Sequence, residues 1–422
     1  MSEPPVRAGP QLPSLLKGLR VIECSMLEPG TLGMILASFG ADVIKVEAPG
    51  QGDYVRKMAW PFVHGVSLLH WHVNRGKRSI TLDLASDAGR GIFTDLVRGA
   101  EVVIEGMRPG ALARRGLGPD ELHKVNERLV FVTLSGYGSS GPYRDLPSHG
   151  LAFDAWAGTA PPAFDDRGRP RIADGTPVGT RTAPVWAAAA VLAAVLRARS
   201  EGIGAVLDVA QTDAAAATNW LAIEGTKAYE RGEDEVTGNP TDGGERRAPG
   251  LAGMAEGVRY QYYRSSDGVV LFMASEQKFW ENFCTGVGRR DLFERWPGEQ
   301  YADHARGNEE LHAELERIFA GRTSAQWVAF AGEVDTPICP VNDATSILSD
   351  PHFVARFPWI PAEQAGAELM PLPVVLHGEE TPRIPRAPTV GEHTLDILSN
   401  VLGYSPEKIA DLERSGALGR PT

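Results

Sequence analysis

The chain has 422 residues, of which 43% are hydrophobic and 23% charged, with 47 glycines and 31 prolines. That length predicts two domains, and that composition predicts a soluble enzyme with many ordered loops. A net charge of −12 argues against a nucleic-acid binder, which needs clustered Lys and Arg, while leaving room for a local basic site for an anionic ligand.

The three cysteines, Cys24, Cys284 and Cys339, lie far apart without a CxxC pair. This predicts neither a disulfide framework nor a zinc site, and a reducing, cytoplasmic setting. The opening MSEPPVRAGPQLPS lacks the apolar core of a signal peptide. LRVIEC (19–24) reads as a strand, TLGMILASFG as a helix, and ADVIKVE (41–47) as a second strand. Ser86 is a cap candidate for a helix over SDAGRGIFTDLVRGA, which leads into the strand EVVIEG. A short helix from Pro119 then precedes the strand LVFVTLSGY (129–137). This alternation predicts an α/β fold with an open, mostly parallel sheet covered on both faces. Ligands of such sheets bind beyond the carboxyl ends of the strands, so the turns after Cys24, Glu47, Gly106 and Tyr137 are the places to look.

APVWAAAAVLAAVL (183–196) is 14 residues long, short of a membrane span, and reads as a buried helix. GIGAVLD (202–208) lacks the full glycine fingerprint of a nucleotide loop and precedes a strand. After the Gly/Arg/Pro-rich TDGGERRAPG, the run RYQYYRSSDGVVLFMAS reads as two strands around a Ser-Asp-Gly turn, within a smaller α+β domain expected at 225–330. The remainder, 1–224 with 331–422, forms the large domain in this reading. His64, His70 and His72 lack a carboxylate at ligand spacing, so they are read as structural and no metal is expected.

Taken together, LKGLRVIE, FGADVIKVEAPGQGD, NRGKRSITLDL, EVVIEGMRPGALARRGLG, LSGYGSSGPYRD, TPICPVNDATSILSDPHF and GEHTLDILSNVLGYSPEKIADL resemble, in order, the segments of the family III CoA-transferases. That family also contains formyl-CoA transferase and α-methylacyl-CoA racemase. The resemblance implies a large Rossmann-like domain built from both chain ends, a small inserted domain, and an interlocked homodimer. It implies a CoA thioester as substrate, a carboxylic acid as acceptor, and no metal, other cofactor, nucleic acid or membrane. Matching positions for CoA contacts are Asn74, Arg75, Lys77 and Arg78 in one basic cluster, and Arg108, Arg114 and Arg115 in another. Arg forks and Lys charges suit the phosphates of CoA. Where many members carry Asn-Phe before Arg-Pro-Gly, this chain has Gly106-Met107.

The catalytic positions depart from the family. The transferases use an aspartate whose carboxylate takes the acyl group as an anhydride. The matching position here is Thr180. The racemases pair that aspartate with a histidine and a glutamate, matched by His149 and Glu276, while the aspartate after their histidine is Gly150 here. Asp154, one helical turn beyond Gly150, and Glu28, in the turn after the first strand, are the carboxylates able to compensate. Three readings stand: a CoA-transferase using a shifted carboxylate, an isomerase, racemase or lyase that moves an α-proton with His149, and a CoA-binding homologue without chemistry.

Overall fold

A computed structural model describes residues 15–232, 234–236, 241–242, 245–246, 249, 255–301, 303–376 and 383–419. The MSEPPVRAGPQLPS segment, and most of TDGGERRAPG, lie outside the described residues. The chain divides into two units, Met1–Asn219 with Phe357–Thr422, and Trp220–Arg356.

The first unit is built on six strands: β1 (Arg20–Ser25), β2 (Asp42–Glu47), β3 (Arg78–Thr81), β4 (Val102–Gly106), β5 (Val130–Ser135) and β6 (Ala205–Ala210). All neighbours pair in parallel, in the spatial order β6-β5-β4-β1-β2-β3. This is the 3-2-1-4-5-6 order of a doubly wound sheet, which reverses direction between β1 and β4. The register pairs Val21 with Val43 and Val102, and Ile22 with Ile44 and Val103.

Alternation along each strand feeds two cores, because successive side chains point to opposite faces. One face collects Ile22, Ile44, Val103 and Phe131 under α3 (Asp87–Arg98) and the C-terminal residues Ile397 and Leu398. The other collects Val21, Val43, Val102 and Val130 under α1 (Thr31–Ser38) and α6 (Gly179–Glu201). Ser86 caps α3, its Oγ accepting from the Gly89 N–H at 3.0 Å.

Between these helices run α2 (Leu68–Asn74), α4 (Pro119–His123) and α5 (Ala152–Ala157), and α7 (Gln211–Thr218) follows β6. The apolar run at 183–196 is part of the 23-residue α6, long and apolar enough by composition to cross a membrane. Half of its most apolar window is buried, with Ala183, Ala187, Val191 and Val195 against the sheet. The helix exceeds the 14-residue expectation because GTRT and RARSE continue its hydrogen bonding.

The second unit holds an antiparallel sheet of β7 (Tyr260–Arg264), β8 (Val269–Met273) and β9 (Ile338–Pro340). Its helices are α8 (Trp220–Ala228), α9 (Gln277–Gly286), α10 (Arg290–Arg295), α11 (Glu309–Phe319) and α12 (Ser324–Val334). Trp280, Phe283 and Phe319 pack against Phe272 on the sheet, and Trp327 packs against Phe283 and Phe319. Because β9 pairs with β8, this unit runs beyond residue 330, to Arg356.

Candidate active site

Two cavities open at the carboxyl edge of the parallel sheet, beside the point where strand order reverses. The smaller, about 200 Å³, lies beyond β1, β2 and β3, and is lined by Ser25, Gly52, Asp53, Leu84 and Arg115 among others. The larger, about 670 Å³, lies beyond β1, β4 and β5. The two share Met26 and Met107 in their walls.

Three of the residues picked out for chemistry meet in the larger cavity: Glu28, His149 and Thr180. Glu28 stands in a single 3₁₀ turn directly after β1. Its carboxylate is about one-fifth exposed and lies 3.6 Å from the Arg181 guanidinium. His149 is exposed in the coil that follows β5. Thr180 opens α6, is buried, and its Oγ1 has no hydrogen-bond partner among the described residues. A hydroxyl so buried is costly to leave unpaired.

Asp154 does not stand with them. It is 1% exposed and does not line the larger cavity. Its Oδ1 accepts from the Val178 N–H (2.7 Å), the Gly179 N–H (3.2 Å) and the Thr159 hydroxyl (3.1 Å). That oxygen therefore satisfies free N–H groups where α6 begins, the task of a helix cap, while the buried Oδ2 has no hydrogen-bond partner among the described residues. Asp154 thus stands apart from Glu28, His149 and Thr180, and lines a separate recess with Leu151 and Thr159. Glu276, in the second unit, is exposed and immediately precedes α9.

The two basic clusters have different fates. Lys77 is buried, its Nζ donating to Glu23 Oε1 (2.8 Å), the Gly30 carbonyl (2.7 Å) and Asn74 Oδ1 (3.0 Å). Burial pulls its ammonium down to about 8, against the pull of Glu23. Arg75 is fully buried and donates to His72 Nδ1 at 3.0 Å and to the His72 carbonyl. Arg78 begins β3, at the amino edge of the parallel sheet, where it pairs with Asp42 and Asp396. Most donors of Asn74, Lys77 and Arg78 are thus engaged within the fold or face the amino edge of the sheet, while the buried Arg75 Nε has no hydrogen-bond partner among the described residues.

The second cluster faces the ligand side. Arg108 and Arg114 line the larger cavity and Arg115 the smaller. Arg114 and Arg115 also form an open recess with Arg90 and Ala85. All three of the predicted arginines in this cluster are exposed. Their loop is set by Glu105, 2% exposed, which accepts from the Leu112 N–H (2.7 Å), the Gly110 N–H (3.3 Å) and the Thr133 hydroxyl (3.2 Å). Arg90, on α3, was missed from the sequence because its segment reads only as an amphipathic helix.

The sequence also hid Glu23, Lys45 and Asp53, which surround Lys77 and the turn of Glu28. Lys45 Nζ lies 3.2 Å from Glu23 Oε1 and 3.0 Å from Asp53 Oδ2. Burial opposes the Lys45 charge, but Glu23 and Asp53 hold its ammonium above the usual lysine range. A signal was present: Glu23, Lys45 and Glu105 are charges inside otherwise apolar strands, which a core does not accept unpaired. His70 belongs to the same packing, with its Nε2 on the Pro388 carbonyl and its Nδ1 on the Asn74 amide. His72 is taken up by Arg75.

An open doubly wound sheet, two cavities beside its reversal point, and arginines on their rims define an α/β protein suited to an anionic ligand. Comparison with known proteins gives that class a family: residues 16–394 match the model of CoA-transferase family III, and the chain belongs to that family. A probable fatty acyl-CoA transferase of Mycobacterium tuberculosis is 32% identical over 78% of this chain and 86% of its own length. A succinyl-CoA–D-citramalate CoA-transferase of Chloroflexus aurantiacus is 31% identical over 95% and 97%. The human α-methylacyl-CoA racemase is 27% identical over 94% and 96%. Among solved structures, a CaiB/BaiF family protein of Brucella suis superposes with a TM-score of 0.72 at 25% identity, covering 93% of this chain and all of that one. The family and these relatives make this an enzyme acting on acyl-CoA.

Proposed function

We propose that the protein transfers CoA from an acyl-CoA to a carboxylic acid, with Glu28 as the carboxylate that takes up the acyl group. The observation that carries this reading is that Glu28, partly shielded and next to the strand-order reversal, lines the same cavity as Thr180. A threonine ester does not retain the activation needed to reform a thioester, whereas a carboxylate does so as an anhydride.

In this scheme the Glu28 carboxylate attacks the thioester carbonyl carbon, the C–S bond breaks, and CoA leaves as the thiolate. The thiolate attacks the Glu28 carbonyl of the anhydride, releasing the donor acid and leaving CoA on Glu28 as a thioester. The acceptor carboxylate attacks that thioester and expels the thiolate. The thiolate then attacks the acceptor carbonyl, giving the new acyl-CoA and free Glu28. No net proton change is required. The Thr180 hydroxyl, unpartnered in the cavity wall, is a donor for the oxyanion of each addition. Arg114 and Arg115, with Arg90 and Arg108, take the phosphates of CoA in this reading, and the smaller cavity takes its nucleotide.

The test is transfer of labelled CoA between an acyl-CoA and an acid, with hydroxylamine trapping during turnover. Glu28→Gln should remove the trapped acyl group and lower kcat by at least about 10³-fold, as loss of a nucleophile does. Thr180→Asp in that background should restore part of the transfer. Full activity in Glu28→Gln rules the reading out.

A second reading rests on His149, which lines the same cavity and is exposed. A neutral imidazole there can take an α-proton from a thioester, whose enolate is stabilised by hydrogen bonds to its oxygen. Solvent deuterium entering the α-carbon, lost in His149→Ala, would establish it. CoA binding without either reaction would leave the non-catalytic reading.

A further inference from the structure

We infer that Lys45 and Lys77 are positioning residues for Glu28, gripping the main chain at both ends of the turn that carries it. The inference rests on the reading of Glu28 given above.

The turn begins in an unfavourable backbone state. Leu27, immediately before Glu28, has φ 61° and ψ −143°. A side chain there meets its own backbone, so residues other than glycine enter this region only when their surroundings hold them. Strain of this kind is retained where it aims a functional group.

The surroundings that hold it are ionic and buried. Lys45 Nζ donates to the Ser25 carbonyl at 2.8 Å, on the strand side of the turn. Lys77 Nζ donates to the Gly30 carbonyl at 2.7 Å, on the helix side. Between them, the Leu27 N–H reaches Asp53 Oδ1 at 3.4 Å. Glu23 Oε1 is the common counter-ion, accepting from both ammoniums and from the Ser25 hydroxyl at 2.7 Å. Both lysine side chains and that of Glu23 are fully buried. Three contacts thus fix carbonyl, amide and carbonyl across six residues, and Glu28, between them, is part of the cavity wall.

A hydrophobic core would hold the sheet equally well without such groups. Replacing a buried ion pair by apolar residues is often neutral or stabilising, so these charges are poor evidence of a stability role alone. What an apolar side chain cannot do is bond the carbonyls of Ser25 and Gly30.

The test uses the full-length protein carrying Glu23→Gln with Lys77→Met, which removes one charge of each sign and spares the fold an unpaired ion. Labelled-CoA transfer is measured beside the thermal midpoint. The inference expects kcat to fall by about 100-fold, the cost of misplacing a reacting group, with the KM for acyl-CoA within about twofold of the original. A folded variant with unchanged kcat overturns it. So does a parallel loss of kcat and acyl-CoA affinity, which marks general loosening. Should this variant not fold, Leu27→Gly frees the same turn by relaxing φ: lower kcat at an undiminished thermal midpoint supports the inference, and unchanged kcat overturns it. Glu28→Gln separates the two levels. Full transfer by Glu28→Gln removes the reading and the inference together, whereas its loss alongside normal transfer by Glu23→Gln/Lys77→Met removes the inference only.

Discussion

Gly33, in the first turn of α1, offers a direct measure of how firmly the buried charges beneath the Glu28 turn are held. Replacing a glycine within a helix by alanine ordinarily stabilises it by up to about 1 kcal/mol. A Cβ at residue 33, however, would sit 1.7 Å from Glu23 Oε2, 2.9 Å from Glu23 Cδ and 3.1 Å from Lys77 Cε. The carboxylate would have to move, yet its other oxygen is held by Lys45, Lys77 and Ser25. Breaking a buried ionic contact costs about 3–5 kcal/mol. Set against the helix gain, Gly33→Ala should lose about 2–4 kcal/mol of unfolding free energy. Gly91 supplies the control: it lies within α3, is exposed, and a Cβ there meets nothing within 4 Å. Gly91→Ala should gain up to about 1 kcal/mol. Urea unfolding of the two variants beside the parent measures both. If Gly33→Ala is as stable as Gly91→Ala, Glu23 is free to swing away and the cluster is not a rigid clamp.

Asp154→Ala should destabilise the protein by about 1–2 kcal/mol as a lost helix cap, and hydroxylamine should still trap an acyl group on the enzyme; trapping lost in a fully stable Asp154→Ala would return Asp154 to the chemistry. Arg114→Glu should weaken CoA binding by roughly 10- to 100-fold and flatten its salt dependence, while Arg78→Glu should leave CoA affinity within about twofold because that side chain is at the amino edge; isothermal titration at two salt concentrations distinguishes them. Burial, reinforced by Arg56, lowers the His70 pKa from 6.5 to about 3. The unfolded chain therefore binds the extra proton first, and stability should fall as pH drops from 6.5 toward 3, by about 1.4 kcal/mol per unit; His70→Gln should flatten urea midpoints over that window, and equal slopes would contradict the assignment. The outer face of α6 exposes Val185, Trp186 and Leu196, a surface that suits the homodimer proposed from the family resemblance; light scattering should find a dimer at micromolar concentration, and a stable monomer would contradict it.

Local pattern decided a good deal. The apolar runs at 19–24, 41–47 and 129–137, broken by glycine turns and helical spacing, announced an open α/β sheet because period 2 and period 3.6 are local properties. Residues that the structure brings to one cavity could be singled out along the chain, Glu28 by its place after the first strand and His149 and Thr180 by the family resemblance. Asp154 was singled out one helical turn beyond Gly150, although not as a residue that accepts from the start of a helix 25 residues further on.

What the chain order could not decide was the fate of each charge. NRGKR and MRPGALARR look alike as text, yet the charges of one are mostly paired within the fold and those of the other line cavities at the carboxyl edge. Arg78 is neutralised by Asp42 and Asp396, 36 and 318 residues away, and Lys77 by Glu23, 54 residues away. The strand order β6-β5-β4-β1-β2-β3 sets which of these partners meet, and the parallel direction sets which edge each arginine occupies. Local sequence therefore determined the elements and the residues capable of chemistry. Only the tertiary structure decided which charges are buried and which remain free, because desolvation and pairing depend on neighbours that the sequence keeps far apart.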